Sequence, residues 1–427
     1  MAHSGVCRAA RSTTTSVPSS CSVQRGIAHT ANPSLNATRA PKATPVDHDF
    51  LPSDGWGLAC AAQGVRVTAT CSMVAAIDGR RFAQARRRPQ PRIDPVSGRG
   101  DPGQTLVPAA LPAGDWLAPV DGHRVWWCEG GDPAGLPVLI VHGGPGGASR
   151  LEPTRWFDGL PVRWIALDQR GCGRSEPPGR TDGNDLGALL DDMERLRRRL
   201  GLGRWAVAGG SWGARVALAY AARWPEVLHG LLLRSPFLGT AAETRRYIAP
   251  WLPWLGAEGR AWLGEPAATA VAALYQAEPG LLHIGALRAA EALQGDERVA
   301  RAWSAYDDAQ SAPGGVLASG GRFDAAALPA ATPQMMASWR VHAHYAAAGW
   351  GLAQAGPAGV PALNSGVPVG LVWGAADATC DPAVARALAV ALPGAQAVEV
   401  PEAGHRMSDP RLAPALRAAA RDWALRC

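Results

Sequence analysis

Lysine is nearly absent from this chain: Lys42 is the only one in 427 residues, and arginine supplies the rest of the basic side-chain charge. With Ala, Gly and Pro also abundant, this is a compositional bias, and no function follows from the arginine excess. No run approaches the ~18 apolar residues that a membrane-spanning helix needs, so no membrane association is expected. The eight cysteines, at 7, 21, 60, 71, 128, 172, 380 and 427, show neither metal-ligand spacing nor the density of a small disulfide scaffold. Reduced thiols in a cytoplasmic enzyme, and no metal, are the simplest reading. Charge is sparse too, at 18% of residues against 47% hydrophobic, which excludes a wholly disordered chain and leaves enough apolar surface for a large core.

The formal charge of +6 does not point to nucleic acid. Thirteen of the 42 basic and six of the 36 acidic residues lie in residues 1–105, so residues 106–427 hold 29 bases against 30 acids and have no net attraction for phosphate. Residues 1–46 are rich in Ser, Thr, Arg and Ala with no acid before Asp47, the composition of an organellar transit peptide or of a spurious upstream start. Residues 84–104, with Arg86-Arg87-Arg88 and four prolines, read as a linker. Residues 1–105 are therefore expected to be a disordered leader and linker, with a cytoplasmic location unless residues 1–46 direct the chain to an organelle.

From Trp116 onward, strand-like runs alternate with helical ones. Residues 116–120 and 123–128 read as an antiparallel hairpin turning at Asp121-Gly122. Continuous apolar runs at 137–141, 164–167, 205–208, 230–233, 367–372 and 395–400 suit strands buried on both faces, and 186–200 and 213–224 are the clearest helices. The alternation predicts an α/β fold, a mainly parallel sheet flanked by helices, built from residues 106–236 and 360–427. Between 237 and 359 the rhythm gives way to a Trp- and Ala-rich helical stretch. It is expected to form a cap over the carboxyl edge of the sheet, where ligands bind in open α/β folds.

Gly209-Gly210-Ser211-Trp212-Gly213 follows an apolar strand and opens a helix, the context in which G-x-S-x-G marks a nucleophile turn. A serine hydroxyl needs a base, and the base needs an orienting group. In the α/β-hydrolase arrangement both follow the serine, acid first. Asp377 sits just past the strand run 369–374, with Asp381 the better substitute and Asp409 another nearby carboxylate. His405, in Gly404-His405 after the last strand run, fills the place of the base. His142-Gly143-Gly144-Pro145-Gly146-Gly147 follows another strand, and side-chain-free residues there let the N–H groups of Gly143 and Gly144, with that of Trp212, face a reacting carbonyl oxygen. No G-K-[ST] follows, which argues against a phosphate loop. His142 itself is read as structural.

Together, 142–147, the octapeptide Asp168-Gln169-Arg170-Gly171-Cys172-Gly173-Arg174-Ser175, the 209–213 turn with 217–221, and Gly404-His405 resemble the proline iminopeptidases over roughly residues 112–427. That resemblance implies a serine peptidase that removes N-terminal proline from small peptides with no metal or cofactor, Ser211 attacking, His405 moving the proton and Asp377 orienting His405. Most of the octapeptide reads as a structural loop beneath the site. The family places cap glutamates against the substrate's free amine. Here Trp303-Ser304-Ala305-Tyr306-Asp307 keeps a carboxylate on a shorter arm, and Arg340-Val341-His342-Ala343-His344-Tyr345 puts His342 where the second would stand. A neutral histidine can accept one hydrogen bond from an ammonium but supplies no charge, so the amine anchor is expected to be weakened. An esterase or amidase on the same scaffold is the alternative, favoured by His342 and by a cap holding Trp251, Trp254, Trp262, Trp303, Trp339 and Trp350. A non-catalytic binding module is a third.

Overall fold

The computed structural model describes residues 110–275, 292–354, 366–392 and 394–427. The expected leader and linker lie outside these residues, as do parts of the expected cap. Eight strands form one sheet: β1 (Asp115–Trp116), β2 (Trp126–Gly131), β3 (Leu136–Val141), β4 (Val162–Leu167), β5 (Trp205–Ser211), β6 (Leu228–Pro236), β7 (Val369–Gly374) and β8 (Gln396–Val400). Their spatial order is β1-β2-β4-β3-β5-β6-β7-β8, antiparallel at β1, β2 and β4 and parallel from β4 to β8. Around them lie α1 (Leu186–Arg199), α2 (Trp212–Arg223), α3 (Ala241–Ile248), α4 (Trp251–Leu263), α5 (Glu265–Leu274), α6 (Glu297–Gln310), α7 (Gly315–Ala318), α8 (Pro333–Ala347), α9 (Pro382–Ala391) and α10 (Leu412–Ala424). Among the described residues no helix is long and apolar enough to cross a membrane.

The central strands bury both faces, which is why their sequences run apolar without alternation. Leu139, Val141, Val207, Leu231 and Leu233 enter one core with α1 and α2, while Val138, Ile140, Ala206, Ala208 and Leu232 enter a second with α10. The run at 395–400 differs. β8 is the sheet's edge, and its residues Gln396 to Glu399 are exposed, so this strand is not buried on both faces. The hairpin also has a shorter ladder than its sequence suggested: β1 is two residues long, although Asp121 and Gly122 both hold the positive φ that a tight turn of this kind requires, at 52° and 76°.

Local signals start several helices. The Asp185 side chain accepts from Ala188 N at the head of α1, whose last turn carries Arg197, Arg198 and Arg199 beside the helix's negative end. Thr240 and Glu243 form a reciprocal capping box on α3, and Thr332 caps α8 just before Pro333.

After β3 the chain steps to β4 on one side, and β5 then pairs with β3 on the other, with Val141 opposite Gly209. That reversal opens a crevice at the carboxyl ends of β3 and β5. Of the helices α3 to α8, inserted between β6 and β7, α3, α6 and α8 reach this same edge and share a cavity with it. Trp251, Trp254, Trp303 and Trp339 are buried in the insertion's own interior, packed around Tyr306 or one another. Of the six insertion tryptophans, only Trp350 lines the cavity that contains Ser211.

Candidate active site

β5 ends and α2 begins at Ser211, which holds φ 57° and ψ −124°. A positive φ on a residue with a side chain costs on the order of 1–3 kcal/mol. It persists here because the turn has no room to relax. A Cβ on Gly213 would lie 2.2 Å from the Val141 carbonyl oxygen, and one on Gly209 would lie 2.4 Å from the Gly213 carbonyl oxygen. Only glycine lets strand and helix approach so closely. The Ser211 side chain consequently stands at the sheet's carboxyl edge, facing a cavity of about 500 Å³.

Asp377 and His405 follow the tips of β7 and β8. His405 Nδ1 lies 2.8 Å from Asp377 Oδ2, and Asp377 Oδ1 accepts the N–H groups of Thr379 (2.9 Å) and Cys380 (2.8 Å). The other two carboxylates have different work. Asp381 caps α9 through Ala383 N, and Asp409 accepts from Gly404 N at 3.0 Å, shaping the loop that presents His405. His405 and Ser211 line the same cavity, while the Ser211 hydroxyl makes its hydrogen bond with Cys380 Sγ at 3.5 Å.

Gly143 and Gly144 line that cavity as well. As the first residue of α2, Trp212 has a backbone N–H without an intrahelical carbonyl to bond, while its indole is buried and donates to Gln169 Oε1 at 2.9 Å. His142 is part of the scaffold. Its Nε2 accepts from Gln169 N at 3.0 Å and its Nδ1 bonds the Gly143 carbonyl at 2.8 Å. The octapeptide is also structural: Asp168 accepts from Ser149 N (2.6 Å) and Arg174 N (2.8 Å), and Arg170 pairs with Asp192 at 2.7 Å.

The same cavity is lined by Asp307 on α6 and His342 on α8. Asp307 Oδ1 accepts from the Tyr247 hydroxyl at 2.6 Å, and the residue is otherwise exposed. His342 departs from expectation. Its Nε2 is hydrogen-bonded to the Tyr275 hydroxyl and its Nδ1 to the Pro145 carbonyl at 3.4 Å. Both ring nitrogens are engaged within the wall, so the acceptor expected for a substrate amine is already taken.

Residues 137–409 match the model of the alpha/beta hydrolase fold family. This chain belongs to that family. Proline iminopeptidase of Neisseria gonorrhoeae is 44% identical to it over 122 residues, 29% of this chain and 39% of that protein. Proline iminopeptidase of Xylella fastidiosa (strain Temecula1) is 41% identical over 155 residues, 36% of this chain and 48% of that protein. This chain thus spans less than half the length of these curated relatives. A solved structure, that of a proline iminopeptidase-related protein from Thermus thermophilus, covers 74% of this chain and 99% of its own with 21% identity and a TM-score of 0.44. It adds nothing to the topology described above.

In this α/β-hydrolase, burial would by itself raise the pKa of Asp377, but the adjacent His405 and the N–H of Cys380 outweigh it and hold the carboxyl below its usual range. Burial, reinforced by the Asp377 charge, pushes the Cys380 thiol well up, so it stays protonated. Burial lowers the pKa of His342 to about 4, against a smaller opposing pull from Asp307, which leaves the ring neutral near pH 7. Among the described residues no group of three or more His, Cys, Asp or Glu could hold a metal ion.

Three contributors to the site went unread in the sequence. Arg234, buried at the end of β6, donates to the His405 carbonyl at 2.6 Å, and Ser311 at the end of α6 accepts the N–H groups of His405 and Arg406 at 3.1 Å each. Tyr275 is the third. A lone arginine closing the apolar run of β6 was the one local signal available, since a charge so placed needs a buried partner.

Proposed function

We propose that this α/β-hydrolase is a serine aminopeptidase that releases N-terminal proline from small peptides through an acyl-enzyme on Ser211. The observation that carries the reading is the convergence of Ser211, the 2.8 Å Asp377–His405 pair and the Gly143-Gly144 loop on one cavity that a carboxylate, Asp307, also lines. The names of the partial relatives add the substrate class. Ser211 Oγ attacks the substrate carbonyl carbon while His405 Nε2 takes its proton. The oxyanion receives the N–H groups of Gly143 or Gly144 and of Trp212. His405 then gives the proton to the leaving amine as the C–N bond breaks, and water repeats the sequence on the ester to free proline and restore Ser211. Asp307 binds the substrate's ammonium group, and no step calls for a metal or cofactor.

A second reading, an esterase or amidase without an amine requirement, is favoured by one observation: His342 is hydrogen-bonded at both nitrogens and contributes neither charge nor a free acceptor. Comparing proline arylamides bearing a free amine with the same compounds N-blocked separates the two. A strong preference for the free amine supports the aminopeptidase; equal rates support the alternative. Labelling by an active-site-directed phosphonate, lost in Ser211→Ala, tests the serine mechanism itself, and an unlabelled wild type would make the chain a binding module.

A further inference from the structure

Helix α8 touches the loop after β3 at two places one turn apart. Ser338 and His342 are separated by four residues and share a helix face. At the first place the backbones meet. Gly146 holds φ +88°, and a Cβ on it would lie 2.3 Å from the Ser338 carbonyl oxygen, so the loop sits against the helix with no space for a side chain. At the second, His342 Nδ1 reaches the carbonyl of Pro145 at 3.4 Å. A carbonyl can only accept, so Nδ1 carries the ring proton. In the neutral imidazole Nε2 is then the acceptor, and the Tyr275 hydroxyl donates to it.

The ring has little freedom to leave this arrangement. It stacks near-parallel to Trp339, 18° between planes, and lies 5.0 Å from Trp303 and 5.5 Å from Trp350, measured between centroids. Tyr275 in turn stacks on Trp303 at 5.2 Å. An aromatic packing unit belonging to the insertion therefore ends in a single N–H aimed at the loop that carries Gly143 and Gly144.

We propose that His342 is a positioning residue for the oxyanion loop, holding Pro145 through Nδ1 while Tyr275 fixes the tautomer through Nε2. The inference rests on the serine-hydrolase reading of Ser211, and it takes His342 out of substrate recognition. The oxyanion exists only in the transition state, so loosening its donors lowers kcat and leaves substrate affinity nearly unchanged. A residue that bound the substrate amine would act instead on KM, and only for substrates that have an amine.

The test uses the full chain and a simple aryl acetate ester, which has no amine. His342→Leu should lower kcat by about tenfold or more with KM within roughly twofold, since losing a whole oxyanion donor elsewhere costs 10²–10³. His342→Gln should recover kcat to within about threefold, because its amide can donate to Pro145 and accept from Tyr275 together. Tyr275→Phe preserves the ring packing and should also depress kcat, and it carries the test if His342→Leu does not fold. An active wild type whose His342→Leu and Tyr275→Phe variants keep their ester kcat overturns this inference alone, as does a His342→Gln no better than His342→Leu. A wild type that is not labelled by phosphonate and turns over no ester overturns the serine-hydrolase reading and this inference with it.

Discussion

Asp377 and His405 are 28 residues apart in sequence and 2.8 Å apart in space, and the carboxylate's second oxygen is held by the N–H groups of Thr379 and Cys380. Asp377 is thus held by backbone N–H groups as well as by the histidine. Asp377→Asn should lower kcat by a factor on the order of 10³–10⁴ with the fold intact, because an amide cannot hold the imidazolium or enforce its tautomer. Asp381→Ala should leave kcat within about twofold and cost ~1 kcal/mol of stability through the lost helix cap. Ester kinetics and urea titration of both variants check this pair of outcomes; a large loss of kcat in Asp381→Ala would count against Asp377 as the orienting acid.

Asp307 faces the cavity with one oxygen on Tyr247 and is otherwise exposed. Asp307→Asn removes the charge and keeps the shape. For a free-amine substrate KM should rise roughly 10-fold or more, the worth of a charge-assisted hydrogen bond. The KM for an uncharged aryl ester should not move. Parallel kinetics on the two substrates decide the matter, and a similar rise in both would point to a packing effect.

The turn at Ser211 depends on the bare backbone of Gly213, where a Cβ would stand 2.2 Å from the Val141 carbonyl oxygen. Gly213→Ala must push β3 and α2 apart. Denaturant unfolding should show a loss of at least ~2 kcal/mol, as for an overpacked core. An unchanged midpoint with full activity would mean that the turn is looser than its contacts imply.

The part-buried, neutral His342 makes stability depend on pH in a definite direction. The unfolded imidazole titrates near 6.5, and in the folded chain its pKa is lowered to about 4, so between those values the unfolded chain binds the extra proton. Stability from this residue is complete above roughly pH 6.5 and is lost progressively as pH falls toward 4, a change of order 3 kcal/mol in all. From pH 7 to pH 5 the wild type should lose about 2 kcal/mol more than His342→Gln. Urea titrations at the two pH values measure the difference, and parallel losses would show that the folded ring is not held neutral.

Much of the geometry around Ser211 could be read before the fold was known, because its causes are local. Gly209 to Gly213 spell out a turn that steric crowding permits in few other ways, and the order serine, acid, histidine follows the order in which β5, β7 and β8 end. The alternation of apolar runs and amphipathic stretches identified the sheet's strands by the same kind of short-range rule, although it could not say that β8 would lie at the edge with its residues exposed. Exposure there depends on which strands found neighbours.

The cavity wall that holds Asp307 and His342 was legible only in part. From sequence, His342 is a residue in the place of a carboxylate, with one lone pair to offer. The tertiary structure decided where that lone pair goes, bringing up Tyr275 from 67 residues away and Pro145 from 197 residues away to use both nitrogens. The contact of Arg234 with the His405 carbonyl, across 171 residues, is of the same kind. Sequence by itself determined which chemical groups the chain carries and which tight turns its backbone can make, since both depend on adjacent atoms. Only the packed fold decided which of those groups are already partnered with one another and which still face the cavity, because a hydrogen bond is spent on whatever the long-range packing places beside it.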